Sequence, residues 1–495
     1  MGCRPSSERM SITILWFRTD LRLNDHPART AAVTRGAVVP LFIWDKSAST
    51  APDGPGPRSP GRAGQWWLHQ SLTRLADGIA ALGGRLILRQ GDPLAVLRTV
   101  IAEVGADAVM WSRRYDASGI VQDTTIKTAL TADGIDATSH AGHLVTEPWT
   151  VRTGAGGPYR VYTPFSKAVF AGHPPAPPVP APTMLAPVSA TLASDPLADW
   201  KLTPSKPDWS GGIAARWTPG EAGAQQRLDA FLDGPAGDYD HDRNFPDRPG
   251  VSYLSPHLRW GEISVRSVWH AAVSAAADQP GRDKGTHTFQ KELLWRDFAY
   301  HLLYHFPTLP TVPLNQKFST FPWRDDSDGL KAWQRGNTGI PIVDAGIREL
   351  WTTGYMHNRV RMIVGSFLVK HLLIPWQHGE AWFWDTLCDG DIASNTASWQ
   401  WIAGCGADAA PFFRIFNPVT QGEKFDPNGT YLRINLPELA RLPTKVIHQP
   451  WSAPPLVLAE AGVRLGETYP VPIIDLKQGR ERALAAYQAM KELAV

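Results

Sequence analysis

Pro174-Pro-Ala-Pro-Pro-Val-Pro-Ala-Pro-Thr-Met-Leu-Ala-Pro187 puts seven prolines into 14 residues. Proline fixes φ and donates no backbone N–H, so the stretch forbids helix and favours extended polyproline structure. It is the strongest boundary in the chain, and the hydrophobic patterns on its two sides differ. On the N-terminal side, Ile12–Phe17 (ITILWF), Ala37–Trp44 (AVVPLFIW), Arg85–Leu88 (RLIL) and Ala108–Trp111 (AVMW) read as buried strands. Helix-like segments separate them at Ala63–Leu82, Pro93–Val104 and Ile120–Ala132. That alternation predicts βαβ units and a parallel sheet covered on both faces. On the C-terminal side, helix-period apolar positions recur in Phe289–Tyr304, Ile342–Thr353, His357–Leu373 and Ala381–Leu387. The predicted organisation is an α/β domain over 11–140, a Pro-rich linker over 141–225 and a larger all-α domain over 226–495.

Composition bounds the function. The chain has 495 residues, 43% hydrophobic and 19% charged, enough for two or more packed domains. Lys plus Arg is 49 against 47 acids, a net charge of +2, so any nucleic-acid footprint must be a local basic patch. Cys3, Cys388 and Cys405 form no CxxC pair, and neither a disulfide framework nor a structural zinc site is expected. No apolar run reaches membrane-spanning length, and MGCRPSSERM lacks the apolar core of a secretory signal. Gly2 and Ser6 match the loose myristoylation pattern, with Cys3 as a second acyl site, but so short a pattern matches often by chance. A cytoplasmic location is the expectation. No GxGxxG follows the first strand. Of 21 tryptophans, nine fall between Phe289 and Trp401, about twice an even share, which core packing explains only in part.

Five segments carry chemistry. Tyr239–Pro246 contains Arg243, and Gly250–Gly261 places Ser252, Leu254 and Ser255 where a helix could start, an anion-binding arrangement or simple N-capping. Glu292-Leu-Leu-Trp295-Arg296-Asp297 spaces Glu292 and Arg296 for an i,i+4 ion pair. In Gly354–Met362, Asn358, Arg361 and Met362 share one helical face while Arg359 turns away towards phosphate. Polar groups on an inward face need partners, which a polar ligand would supply. Asp389-Gly-Asp391-Ile-Ala-Ser-Asn395-Thr-Ala-Ser-Trp399-Gln-Trp401 reads as a turn and cap, and lacks the later ligands of a calcium loop, so no metal is expected.

Together with Trp16–Asp25, Thr338–Ala345 and Phe413–Pro418, these segments resemble the DNA photolyase/cryptochrome family over residues 12 to about 440. The resemblance implies an N-terminal α/β Rossmann-like antenna domain, a long linker and an all-α FAD-binding domain. In that family reduced FAD transfers an electron under near-UV or blue light to a pyrimidine dimer in UV-damaged DNA, the ring splits, and the electron returns. Carried over by position, Tyr239, Ser252, Leu254, Ser255, Glu292, Arg296, Asn358, Arg361, Asp389, Asp391 and Asn395 would line the FAD site. Arg361 would pair with Asp389, Asp391 would accept from the cofactor, and Asn395 would face flavin N5. Trp295 would stack on the flipped dimer beside Glu292, Asn358, Met362 and Trp401, and Arg243, Arg359 and Arg414 would hold phosphates. Trp323, Trp376 and Trp399 match the chain that reduces the flavin from the surface.

The same resemblance implies a carbon–carbon lyase acting on cyclobutane dimers, since the (6-4)-repair branch carries paired histidines where this sequence has His357-Asn358. The alternatives are a (6-4) photolyase or a cryptochrome-type blue-light photosensor without repair activity. Such members often carry a long tail, whereas this sequence closes in helix-like Glu481–Val495. Val251 stands where Thr is usual and Tyr355 where many relatives have Trp. Asn395-Thr-Ala-Ser-Trp399 looks more like the class III subgroup than class I. For a second, antenna chromophore the resemblance leaves open methenyltetrahydrofolate, ahead of a deazaflavin, or none, with Asp116 as a matching acidic contact, and the protein is expected to be a monomer.

Overall fold

The computed structural model describes residues 11–493 apart from 46–47, 52–56, 187, 189–190, 279–280 and 410–412. The acylation match at Gly2, Cys3 and Ser6, and Pro187 of the proline run, lie outside them. Five parallel strands, β1 (Ser11–Phe17), β2 (Gly36–Trp44), β3 (Ile87–Gln90), β4 (Ala108–Ser112) and β5 (Asp136–His140), form one sheet in the order β3-β2-β1-β4-β5. Thr13 pairs with Val38 on one side and Ala108 on the other. Alternate side chains part to the two faces. Leu15, Phe17, Val38, Phe42, Leu88 and Met110 pack with the Arg62–Ala81 helix. Ile14, Trp16, Val39, Leu41, Ile87, Val109 and Trp111 pack with the Pro93–Val104 and Ala117–Ala132 helices. Burial on both sides explains why the strands read as unbroken apolar runs.

Three elements differ from the sequence expectation. β3 begins two residues later, because pairing with Leu41–Trp44 of β2 sets its span. β5 escaped notice because only Ala137 of its five residues is buried, and pairing with β4 holds it in place. The Pro27–Arg35 helix also went unread; His26 caps it by accepting from the Arg29 N–H at 3.1 Å.

The proline run is extended and lies along the sheet unit. Val179 exchanges hydrogen bonds with Asp25, donating to its carboxylate at 3.0 Å and accepting from its N–H at 2.7 Å. Buried Arg29 donates to the Pro180 carbonyl at 2.9 Å. Within 141–225, Tyr162–Ala171 is a helix whose buried Tyr162, Phe165 and Val169 pack with Phe289, Leu293 and Phe298.

Beyond the proline run the described residues form helices and no strand. The four predicted helical segments correspond to Asp283–His305, Pro341–Thr353, Asn358–Ser366 and Trp376–Thr386, the third continuing as a π-helical turn over Phe367–His371. The sheet unit meets these helices through buried polar groups. Glu262 is 1% exposed and accepts from the Trp67 indole at 3.0 Å, with His257 at 2.5 Å. Leu21 N–H donates to the Trp260 carbonyl at 3.0 Å. The next residue is Gly261 at φ +65°, where a Cβ would lie 2.3 Å from the Thr19 carbonyl oxygen, so only glycine lets the two backbones approach.

Candidate functional site

A cavity of about 710 Å³ lies within the helical half, a volume suited to one extended cofactor. All of the sequence-predicted cofactor and DNA residues line it, from Tyr239, Arg243, Ser252, Leu254 and Ser255 through Glu292, Trp295 and Arg296. Asn358, Arg359, Arg361 and Met362, then Asp389, Asp391, Asn395, Trp399, Trp401 and Arg414, complete the set. Trp323 and Trp376 are not in its wall.

Helical spacing explains the convergence. On Asp283–His305 the lining residues Phe289, Glu292, Trp295, Arg296, Ala299 and Leu302 recur at three and four residues, one stripe along the helix. Asn358, Arg361, Met362 and Gly365 do the same on the next wall, and Asn395, Ser398, Trp399 and Ile402 on the Ile392–Ala403 helix.

The cavity floor is a charged pair. Arg361 Nη2 donates to Asp389 Oδ2 at 2.8 Å, and its Nε donates to the Met356 carbonyl at 2.7 Å. Burial lowers the Arg361 pKa, but Asp389 more than offsets this and the net shift is upward. The Ser255 hydroxyl donates to the same Asp389 oxygen at 2.6 Å. Ser255 therefore does not cap its helix, which starts with no side-chain cap. Asp389 Oδ1 is buried without a hydrogen-bond partner, an acceptor waiting for a donor from a bound group. That open acceptor, beside Ser255 and the half-buried Arg361 guanidinium in a cavity that Ser252 also lines, suits a polar dinucleotide.

Asp391 is doubly engaged. It caps the Ile392–Ala403 helix by accepting from the Ser394 N–H at 2.7 Å, and its other oxygen accepts from the Tyr300 hydroxyl. The expected i,i+4 pair between Glu292 and Arg296 does not form. Arg243 reaches Glu292 instead, while Arg296 donates to the His143 carbonyl at 2.5 Å and contacts its imidazole at 2.6 Å. Buried hydrogen-bond partners outbid the helical-surface geometry. Burial raises the Glu292 pKa and Arg243 partly opposes the rise.

Sequence reasoning missed Tyr162. Its ring stacks on Trp295 with centroids 3.7 Å apart and planes 8° from parallel, and its hydroxyl donates to the Lys291 carbonyl. Nothing in the sequence marked a contact across 129 positions.

The tryptophans expected to relay electrons sit in or against one apolar cluster. Trp399 is 3% exposed and Trp376 1%, with Trp323 partly buried at its edge. Gly379 lies less than one turn beyond Trp376, and a Cβ there would fall 2.1 Å from the Trp399 ring, so glycine lets that indole lie against the Trp376 helix.

Sheet unit, helical unit and polar-floored, aromatic-walled cavity define a cofactor-binding protein built from an α/β layer and a helical layer. Residues 13–183 match the family model described as DNA photolyase, and residues 289–489 the FAD binding domain of DNA photolyase. The chain belongs to the DNA photolyase family and binds FAD. It is 52% identical to the deoxyribodipyrimidine photo-lyase of Agrobacterium fabrum over 480 residues, 97% of this chain and 98% of that protein. Cryptochrome-1 of Arabidopsis thaliana is 39% identical over 97% of this chain and 71% of its own length. The crystal structure of a bacterial class III photolyase from Agrobacterium tumefaciens superposes with a TM-score of 0.94 at 50% identity, covering 99% of this chain and 100% of that one.

Proposed function

We propose that the protein is a class III deoxyribodipyrimidine photo-lyase, a light-driven lyase that binds UV-damaged DNA and splits cyclobutane pyrimidine dimers. The observation that carries this is a cofactor-sized cavity lined by the Arg361–Asp389 pair and, from half-buried or exposed positions, by Trp295, Trp401, Asn358, Arg359 and Arg414. Full-length likeness to a curated photo-lyase supports it. Bound reduced FAD supplies the photo-excitable electron, and the chain supplies position and electrostatics. Tyr239, Ser252, Leu254, Ser255, Arg296, Arg361, Asp389, Asp391 and Asn395 would hold the cofactor, the open Asp389 Oδ1 accepting from one of its donors. Trp295, Trp401, Met362, Asn358 and Glu292 would take the extruded dimer, whose flipping costs a few kcal/mol and least where pairing is already damaged. Arg359 and Arg414 would meet backbone phosphate, and Arg243 would do so with its charge already shared with Glu292.

His357 supports the cyclobutane substrate. Burial first, then Arg359 and Arg361, push its imidazole down to about 3, so the ring is neutral at neutral pH and not the imidazolium an acid catalyst would need. The folded value lies below the unfolded 6.5, so this neutral ring contributes stability above pH 6.5 that is lost as the pH falls towards 3. His357→Asn, which keeps a cap acceptor, is expected to leave the pH profile of repair unchanged between pH 6 and 8. A step near neutrality that disappears in the variant would count against this reading.

Trp399, Trp376 and Trp323 would carry electrons from the surface to the cofactor. Trp323→Phe is expected to slow photoreduction of oxidised FAD at least tenfold, while repair by chemically reduced protein stays at the wild-type rate. Unchanged photoreduction would assign the relay to other aromatics.

Residues 11–140 would form the antenna domain, 141–225 the crossover and 226–495 the catalytic domain. A second chromophore, methenyltetrahydrofolate ahead of a deazaflavin, would bind the first of these. Asp116, its expected acidic contact, already caps the Ala117–Ala132 helix by accepting from the Gly119 N–H at 2.8 Å. We take the protein as a cytoplasmic monomer; among the described residues no helix is long and apolar enough to cross a membrane.

The deciding experiment incubates reduced protein with oligonucleotides carrying a cyclobutane thymine dimer or a (6-4) product, in blue light and in darkness. Restored thymines are expected from the cyclobutane dimer alone and only in light. No repair of either, with FAD bound and reducible, would move the assignment to a photosensor, the reading that likeness to plant cryptochromes favours.

A further inference from the structure

Two side chains behind the cavity wall decide which way Asn395 faces. Glu380, 2% exposed on the Trp376–Thr386 helix, receives Arg58 in a two-pronged ion pair, Nη1 to Oε1 at 2.6 Å and Nη2 to Oε2 at 3.1 Å. Asn395 Nδ2 donates to the same Oε1 at 2.8 Å and to the Glu380 carbonyl at 3.0 Å. A carboxylate and a carbonyl can only accept, so the amide must turn its NH₂ towards Glu380. Its oxygen, which no hydrogen bond among the described residues reaches, is left for the cavity that Asn395 lines.

Arg58 comes from the sheet side of the molecule, 322 positions before Glu380. Its side chain is 3% exposed, and its guanidinium lies 3.9 Å over the Trp384 ring. The neighbouring Ser59 carbonyl accepts from the Trp384 indole at 2.9 Å, which pins the arm to the helix that carries Glu380.

We propose that the Arg58–Glu380 pair is a positioning device that keeps the Asn395 oxygen directed at the flavin and so biases the cofactor towards its reduced state. This rests on the reading above that Asn395 faces flavin N5. Flavin N5 accepts hydrogen bonds when oxidised and carries a hydrogen when reduced, so an oxygen beside it favours the reduced form. Without Arg58, Glu380 would be a buried carboxylate with no cation to hold its two oxygens in place. Its Oε1 is then free to move away from the Asn395 amide, and the amide is free to turn.

The test is the midpoint potential of FAD in the full-length holoprotein. Arg58→Met and Glu380→Gln are each expected to lower the preference for reduced over oxidised FAD about tenfold, about 30 mV for a two-electron couple. Arg58→Lys, which keeps the cation, is expected to restore most of it, and Arg58→Met is expected to add nothing to Asn395→Ala. The Glu380→Gln protein keeps the side-chain shape and reports even if Arg58→Met fails to fold. If Asn395→Ala shifts the potential while Arg58→Met and Glu380→Gln do not, the positioning role is overturned and the placement of Asn395 stands. If Asn395→Ala leaves the potential unchanged, Asn395 is not at the ring and the proposal falls with that placement.

Discussion

Trp295→Ala is expected to abolish dimer repair while leaving FAD in place. The indole is partly buried on the Asp283–His305 helix, its back face covered by the Tyr162 ring at 3.7 Å. Its other face lies towards the cavity, where the proposed function puts the flipped dimer. Stacking on an aromatic side chain contributes about 1–3 kcal/mol per base, so removing a platform under two joined bases costs about 3 kcal/mol, or about a hundredfold in lesion affinity. Tyr162 cannot substitute, because its hydroxyl is tied to the Lys291 carbonyl and its ring stays where it is. Binding of a dimer-containing oligonucleotide, measured beside the flavin absorbance of the same sample, separates lesion recognition from cofactor loss. A repair rate within twofold of wild type would remove Trp295 from the lesion pocket.

Asp389→Ala is expected to cost the protein both its cofactor and much of its stability. The Asp389 side chain is 4% exposed, and it is the carboxylate that Arg361 and Ser255 both address. Taking it away leaves the half-buried Arg361 guanidinium with only the Met356 carbonyl, and losing such a charged partner costs about 1–3 kcal/mol. FAD content after gel filtration is expected to fall to a few per cent, with a matching drop in the urea midpoint. Asp389→Asn should behave similarly, since shape without charge does not restore the pair. Stoichiometric FAD in either variant would mean that the pair is not the floor of the cofactor site.

How much of this was legible depended on whether the signal was local. The four apolar strands and the helical stripes announced themselves because burial on one or both faces leaves a period in the sequence. The cavity residues were found segment by segment through resemblance, and the fold brings them around one cavity. What could not be read were choices between partners. Glu292 had an arginine four residues away and took one from another element instead, while the Asp391 carboxylate went to Ser394 and Tyr300. Tyr162, Arg58 and Glu380 gave no signal, because each acts through a contact more than a hundred positions distant. β5 was missed for a related reason: an edge strand held by pairing needs few apolar residues.

One face of the sheet is completed by residues far down the chain, among them Trp217, Trp260, Tyr355 and Cys388, which cluster with Leu15, Phe17 and Met110. A ribosome makes the chain from the other end. With synthesis at about 5–20 residues per second, the roughly 250 residues between the last strand and Cys388 take about 12–50 s to emerge. During that interval the Arg62–Ala81 helix covers that face without them, and the apolar gap that Trp217, Trp260, Tyr355 and Cys388 later fill stays open to water.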